Sequence, residues 1–345
     1  MPRIRTAAAL VAASLLALTG CASASTPAAT APAADDTAAS STFPVTVEHA
    51  FGETVIEEKP ERVASVAWGN HEVPIALGIV PVGMSKATWG DDDGDGVLPW
   101  VEDALAELGG DAPALFDETD GIPFEEIADT QPDVILASYS GLSQEDYDTL
   151  SKIAPVVAYP EVAWGTSYED MIRLNSAALG LAAEGDELIA ELHDEVDTAL
   201  ASHPGLAESA VLFSWLDEAD LSKVTLYTDL DTRPGFLSSL GLPLPSIVEE
   251  SSDGAAFYAE VSSEEADRFE DVDVFVTYGD PDGALVETLQ ADPLLSQIPA
   301  IADGRIAILE NNAPLAASAN PSPLSISWGI DDYFTVLADA LNAGE

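Results

Sequence analysis

Hydrophobic and polar positions change period several times along this chain, and those changes predict its elements. Residues 45–56 alternate apolar with polar on both sides of Gly52, the pattern of a β-hairpin. Short runs rich in β-branched residues follow at 63–67, 134–138 and 156–159. A second set comes at 210–215, 224–227, 272–278 and 306–309. Between the sets Tyr168, Met171, Ile172, Leu179, Ala182, Ile189, Leu192 and Val196 recur at helical spacing, so 167–202 reads as helix. Gly180 and Gly185 are expected to break it into one helix that joins two lobes and a second that opens the next lobe. Strands alternating with helices imply an α/β fold with mainly parallel sheets. The expected organisation is an N-terminal α/β lobe at 43–165, an interlobe helix at 166–183 and a C-terminal α/β lobe at 184–345.

The residues ahead of these elements follow other rules. Arg3 and Arg5 precede an apolar run, 7–18, that is too short to remain as a membrane span. Leu18-Thr-Gly-Cys21 then resembles the bacterial lipobox, which implies cleavage after residue 20 and a lipid on Cys21, the only cysteine in the chain. Residues 22–41 hold only Ala, Ser, Thr, Pro and two Asp, so 21–42 is expected to be a lipidated, disordered tether. The expected location is extracytoplasmic, on the outer face of the cell membrane and held there through the lipid alone.

Charge narrows the partners. Eleven Lys and Arg against 62 Asp and Glu give a formal net charge of −51 over 345 residues. Such a surface repels phosphate backbones, so nucleic acid is excluded as a partner. No G-x-S-x-G elbow, phosphate-binding G-x-x-x-x-G-K or H-E-x-x-H occurs, and the reading is not an enzyme. His49, His71, His193 and His203 are dispersed, which disfavours a histidine-rich site for a bare metal ion.

Ligands of α/β lobes lie beyond the carboxyl ends of strands. The residues at those ends are Trp68, Asn70, His71 and Tyr139, then Trp215, Tyr227, Arg233 and Tyr278, with Trp164 just before the long helical stretch. Aromatic walls suit a bulky, partly apolar guest, although any one ring serves a core equally well. Arg233, the only arginine between 173 and 268, could hold anionic oxygens around a metal or pair at the surface with Asp229 or Asp231. Asp91, Asp93, Asp95, Gly96 and Glu102 fit the D-x-D-x-D-G-x5-E calcium loop, with Val97 offering a carbonyl. A solvated acidic turn is the default for such a run in so acidic a chain.

Several segments together resemble the helical-backbone class of binding proteins that serve ATP-driven importers. They are Val47 to Val63 (VEHAFGETVIEEKPERV), Ala76 to Gly83, Gln131 to Ile135, Leu150 to Val157 and Asp331 to Phe334. The resemblance runs from about Phe43 to the C-terminus. It implies two α/β lobes bridged by one long helix, with the ligand cleft between them. It also implies a monomer that delivers a ferric siderophore to a permease and its ATPase, with no permanent cofactor. Haem (through His71 or Tyr139), cobalamin or a bare metal ion are the alternatives. Scarce cations favour a neutral or cationic hydroxamate complex over a triply anionic catecholate. Glu125 and Glu264 match the family's permease-docking positions, one per lobe, with Glu126 and Glu265 as neighbours that could replace them. Glu125 lies eight positions before Asp133 and Glu264 nine before Asp273, a weak internal echo of one helix–strand unit.

Overall fold

The computed structural model describes residues 43–252, 254 and 256–343; Cys21, the expected leader and the tether, 1–42, lie outside them. The hairpin comes first: β1 (Val45–His49) pairs antiparallel with β2 (Gly52–Ile56), Val45 opposite Ile56. Alternation buries Val47, His49, Thr54 and Ile56 and exposes the residues between them. Thr54 donates to the Val156 carbonyl at 2.7 Å, which ties the hairpin to the body of the lobe.

The first sheet is wholly parallel, in the order β5-β4-β3-β6-β7. Its strands are β3 (Val63–Ser65), β4 (Gly83–Ser85), β5 (Ala114–Phe116), β6 (Val134–Ala137) and β7 (Val156–Ala158). Four helices connect them: α1 (Glu72–Ala76), α2 (Pro99–Leu108), α3 (Phe124–Asp129) and α4 (Gln144–Leu150). The hydrophobic pattern missed β4 and β5, each three residues long. Gly83 supplies no apolar signal because the Phe116 ring occupies the space its Cβ would need. Both sheet faces are covered, as a parallel sheet requires. Val63, Val134, Leu136 and Val157 pack with the hairpin's Val47 and Ile56, while Ala64, Ile135 and Val156 pack with Phe116, Ile127 and Leu150.

The chain leaves this lobe through α5 (Tyr168–Ala178) and α6 (Ala182–Ala201). Gly180, at φ 71°, makes the break between them, since a left-handed residue costs glycine little. Gly185 makes no break. It is buried inside α6, where a Cβ would overlap the Ser176 hydroxyl of α5, so it lets two helices cross closely.

The second sheet has the order β10-β9-β8-β11-β12. The strands are β8 (Val211–Trp215), β9 (Lys223–Tyr227), β10 (Tyr258–Ser262), β11 (Val274–Gly279) and β12 (Ile306–Glu310). β8, β11 and β12 run parallel, whereas β9 and β10 are antiparallel additions on one side. The unforeseen β10 is an edge strand in which Val261 alone is buried. Around the sheet lie α7 (Thr232–Ser239), α8 (Ser246–Ser251), α9 (Leu285–Ala291), α10 (Pro299–Ala302), α11 (Pro314–Ser318) and α12 (Pro323–Asn342). Period two again sorts the core: Val211, Phe213, Val274 and Val276 face Ile189, Leu192, Phe334 and Leu337, while Leu212 and Phe275 face Ile247, Leu289 and Ile301.

Two lobes of mainly parallel sheet result, and α12 touches α1 and α2 of the first as well as β11 and β12 of the second. Each buried Val, Leu, Ile or Phe contributes roughly 1.5–3 kcal/mol. The exposed ion pairs, such as Lys86–Asp117 and Arg173–Asp170, contribute about 1 kcal/mol at most. The cores, not the surface pairs, hold the fold.

Candidate functional site: an aromatic seam between the lobes

The first wall is built on the ends of β3 and β6. Beyond β3, Ala67 adopts φ 60° and its N–H donates to both Glu118 carboxylate oxygens, at 3.1 and 3.0 Å. That turn and the left-handed Gly69 present Trp68, which is half-buried. Asn70, fully buried, fixes the neighbouring strand end: its Nδ2 donates to the Val66 and Tyr139 carbonyls, both at 2.9 Å. Its Oδ1 accepts from the Tyr139 N–H at 3.0 Å and the Ser138 hydroxyl at 3.1 Å. Tyr139 therefore has both backbone polar groups held by one side chain. Its ring meets Trp164 edge-on, centroids 5.3 Å apart. Trp164 is also left-handed (φ 61°), donates its N–H to the Ser140 carbonyl, and packs where a Cβ on Gly141 would collide with its indole.

The second wall centres on Arg233 at the start of α7. Asp231 caps that helix: Oδ1 accepts from the Arg233 backbone N–H at 3.0 Å and from its Nε at 2.7 Å, while Oδ2 accepts from Nη2 at 2.7 Å. Nη1 donates to the Tyr278 hydroxyl at 2.8 Å, and the guanidinium lies 3.7 Å from the Tyr227 ring centroid. Burial pulls the guanidinium pKa down, but Asp231 and Tyr278 outweigh it and push it well up. Burial raises the Tyr278 hydroxyl, which Arg233 partly offsets. The walls meet in two places. Tyr139 Oη lies 3.4 Å from Thr232 Oγ1 and accepts from Asn320 Nδ2 at 3.3 Å, while Trp89 packs edge-on against Tyr278 at 5.8 Å. Trp89 lies 6.4 Å from Trp68 and donates to Asn311 Oδ1 at 3.4 Å. Beside this seam a cavity of about 190 Å³ lies between the start of α5 and α7, lined in part by Tyr168, Glu169, Asp229, Asp231 and Thr232.

Among the strand-end residues, Trp68, Tyr139, Trp164, Tyr227, Arg233 and Tyr278 thus fall on one continuous seam. His71 does not. It is buried ahead of α1 and lines, with Trp68, a small cavity under the 84–98 segment, where desolvation lowers its pKa to about 4. Trp215 ends β8 with 51% of its surface exposed and touches no aromatic ring among the described residues. Arg233 pairs with Asp231 rather than Asp229, and the pair is buried rather than on the surface. Sequence reasoning missed Trp89, Thr232 and Asn320. Trp89 follows a strand too short to see, and Asn320 lies in a Ser/Pro-rich loop with no periodic signal.

Two acidic features lie elsewhere. Glu125 is exposed in the first turn of α3; Glu264 is exposed in a 3₁₀ turn, Ser263–Phe269, that kinks at Glu265. The echo between the lobes is therefore one of position more than of helix type. Asp91, Asp93 and Asp95 bring carboxylate oxygens within 4.8 Å of one another. Those oxygens already accept from the loop's own amides, Asp91 from Gly94 and Gly96 at 2.8 and 2.7 Å. Glu102 stands in the first turn of α2, raised chiefly by the charge of Asp95.

The fold and the interlobe seam define a solute-binding protein rather than a catalyst. Residues 63–313 match the periplasmic binding protein family, and the chain belongs to it. The chain is 48% identical to PiaA of Streptococcus pneumoniae TIGR4, solved in complex with ferrichrome, over 87% of this chain and all of that one, with a TM-score of 0.83. A periplasmic solute binding protein from Mycobacterium smegmatis is 29% identical over 86% of this chain and 99% of its own, TM-score 0.68. The probable siderophore-binding lipoprotein YfiY of Bacillus subtilis is 27% identical over 248 residues, 69% of this chain and 70% of that one. No helix among the described residues is long and apolar enough to cross a membrane.

Proposed function

We propose that this protein captures a ferric siderophore of the hydroxamate type in the cleft between its lobes and delivers it to the permease of an ATP-driven importer. In this reading Cys21 carries the lipid that holds it outside the cell membrane, and 166–183 separates the lobes. The carrying observation is the aromatic seam with one buried guanidinium, in a chain 48% identical to a protein solved with ferrichrome. Rings give a bulky chelate contact area at low entropic cost, and Arg233 retains unpaired N–H groups for its oxygens. Trp68, Tyr139, Trp164, Tyr227, Arg233 and Tyr278 are the proposed contacts, with His71 and Trp215 outside the wall they form. Glu125 and Glu264, both exposed, are proposed to orient the loaded protein on basic sites of the permease.

Tryptophan fluorescence of the purified protein tests this against a ferric tris-hydroxamate, haem, cobalamin and Zn²⁺. Saturable quenching by the hydroxamate complex is expected. Quenching by haem, cobalamin or zinc with none from any ferric chelate would overturn the assignment. Reversing the charge of Glu125 or Glu264 is expected to slow uptake in cells while leaving chelate binding intact.

A further inference from the structure

We propose that Asp231 sets the charge class of the cargo: by neutralising Arg233 inside the seam, it excludes anionic ferric complexes and reserves the site for neutral or cationic ones. This rests on the siderophore reading above and adds to it a residue that determines specificity.

The argument begins with which charges face the seam. Lys86 and Arg173 are half-exposed and paired with Asp117 and Asp170, which leaves Arg233 as the cation of the seam among the described residues. A lone buried guanidinium would be a trap for anions. Here it is not alone. Asp231 engages it through two nitrogens at 2.7 Å each, and the side chains of Arg233 and Asp231 are only 15% and 4% exposed. Water therefore screens the pair poorly, and a guest at the seam meets a dipole with no net charge. Asp229 and Glu169, lining the adjoining cavity, add further negative potential. What remains to Arg233 is one free N–H on each terminal nitrogen, enough to donate to the oxygens of a neutral hydroxamate. The Tyr227 face and the Tyr278 hydroxyl hold the guanidinium plane in place without adding charge.

Asp231 also caps α7, so a merely structural role must be separated from an electrostatic one. Asp231→Asn does so, because asparagine caps a helix as well as aspartate but carries no charge. The measurement is the ratio of dissociation constants for an anionic carboxylate complex of Fe³⁺ and a neutral ferric tris-hydroxamate, read by fluorescence quenching at fixed ionic strength. Removing one buried charge is expected to shift that ratio by about tenfold or more toward the anionic complex. Arg233→Gln leaves Asp231 uncompensated and is expected to shift selectivity the other way, toward a cationic ferrioxamine-type complex. It also supplies the answer should Asp231→Asn fail to fold. Wild-type protein that binds no ferric chelate would overturn the siderophore reading and this inference together. Wild-type protein that binds the neutral complex, with a ratio unmoved in both variants, overturns this inference alone.

Discussion

Asn70 is the side chain on which the first wall depends, and replacing it with alanine tests that dependence. The carboxamide is fully buried and holds the Tyr139 N–H and carbonyl at 3.0 and 2.9 Å, together with the Val66 carbonyl at 2.9 Å. Asn70→Ala leaves these groups without partners in a site closed to water. At about 1–3 kcal/mol for each orphaned group, and with partial relaxation, the expected loss is about 4 kcal/mol. Urea unfolding followed by tryptophan fluorescence measures it, and chelate titration of the folded fraction should show affinity falling about tenfold as Tyr139 loses its backbone anchor. Asn70→Asp sharpens the test. It turns an oxygen toward two carbonyls where a donor stood, so at neutral pH it should be worse than alanine. Burial against those carbonyls raises the carboxyl pKa of such an aspartate in the folded state, and stability from a raised group is present below its unfolded pKa and lost as pH rises. Acidification should therefore narrow the gap to wild type. An alanine variant within about 1 kcal/mol of wild type would refute the reasoning, because three orphaned backbone groups cannot cost so little.

Glu72 accepts from Trp100 Nε1 at 2.9 Å, from the Leu324 N–H at 3.1 Å and from the Ser322 hydroxyl, joining α1 and α2 to the start of α12. Glu72→Ala should cost about 3 kcal/mol in the same unfolding assay, and a neutral result would contradict the role. Burial raises the Glu72 pKa above 4.5 against the pull of its donors, so wild type should gain on Glu72→Gln as pH falls through the raised value; a constant difference would show no shift. His71, held near 4 by burial, contributes stability present above its unfolded value of 6.5 and lost as pH falls toward 4. Lowering the pH to about 5 should cost about 2 kcal/mol through this group, and His71→Phe should lose that part of the acid sensitivity. The net charge of −51 makes self-repulsion the dominant long-range force, so the unfolding midpoint should rise as NaCl is raised to about 1 M; a flat salt response would show the repulsion to be negligible.

Periodicity made the two-lobe fold legible wherever an element was long enough to repeat. Strands such as β8 and β11 bury alternate residues against two different cores, and that alternation is written in Val211, Leu212 and Phe213. It failed at β4, where Gly83 yields its space to Phe116, and at β10, an edge strand with little to bury. Gly185 misled because the sequence cannot tell a glycine that breaks a helix from one that lets another helix approach. At the site, aromatic type and strand-end position found most of the seam. Neither could find Trp89, or show that the partner of Arg233 is buried, because both depend on which loops the folded sheets bring together.

Four non-glycine residues among those described adopt left-handed backbone, and three of them, Ala67, Trp164 and Asn312, stand at the seam. Each is held there by a specific bond or contact: Ala67 by the Glu118 carboxylate, Trp164 by the Ser140 carbonyl, and Asn312 by the Gly90 N–H donating to its side chain at 3.1 Å. Such conformations cost of order 1 kcal/mol or more and persist only where the surroundings over-determine them. Elsewhere, Gln131 apart, the left-handed positions are taken by glycine, as at Gly52 and Gly180, at little cost. The strain is therefore concentrated where the two walls face each other. Two of the three bonds tie a first-wall residue within its own lobe, while the third, Gly90 to Asn312, crosses from one lobe to the other. Opening the seam would break that crossing bond, the Trp89–Tyr278 contact and the contacts of Tyr139 with Thr232 and Asn320, yet it would leave Ala67 and Trp164 locked. Trp68 and Trp164 therefore remain presented as fixed parts of the first wall, held by bonds within their own lobe.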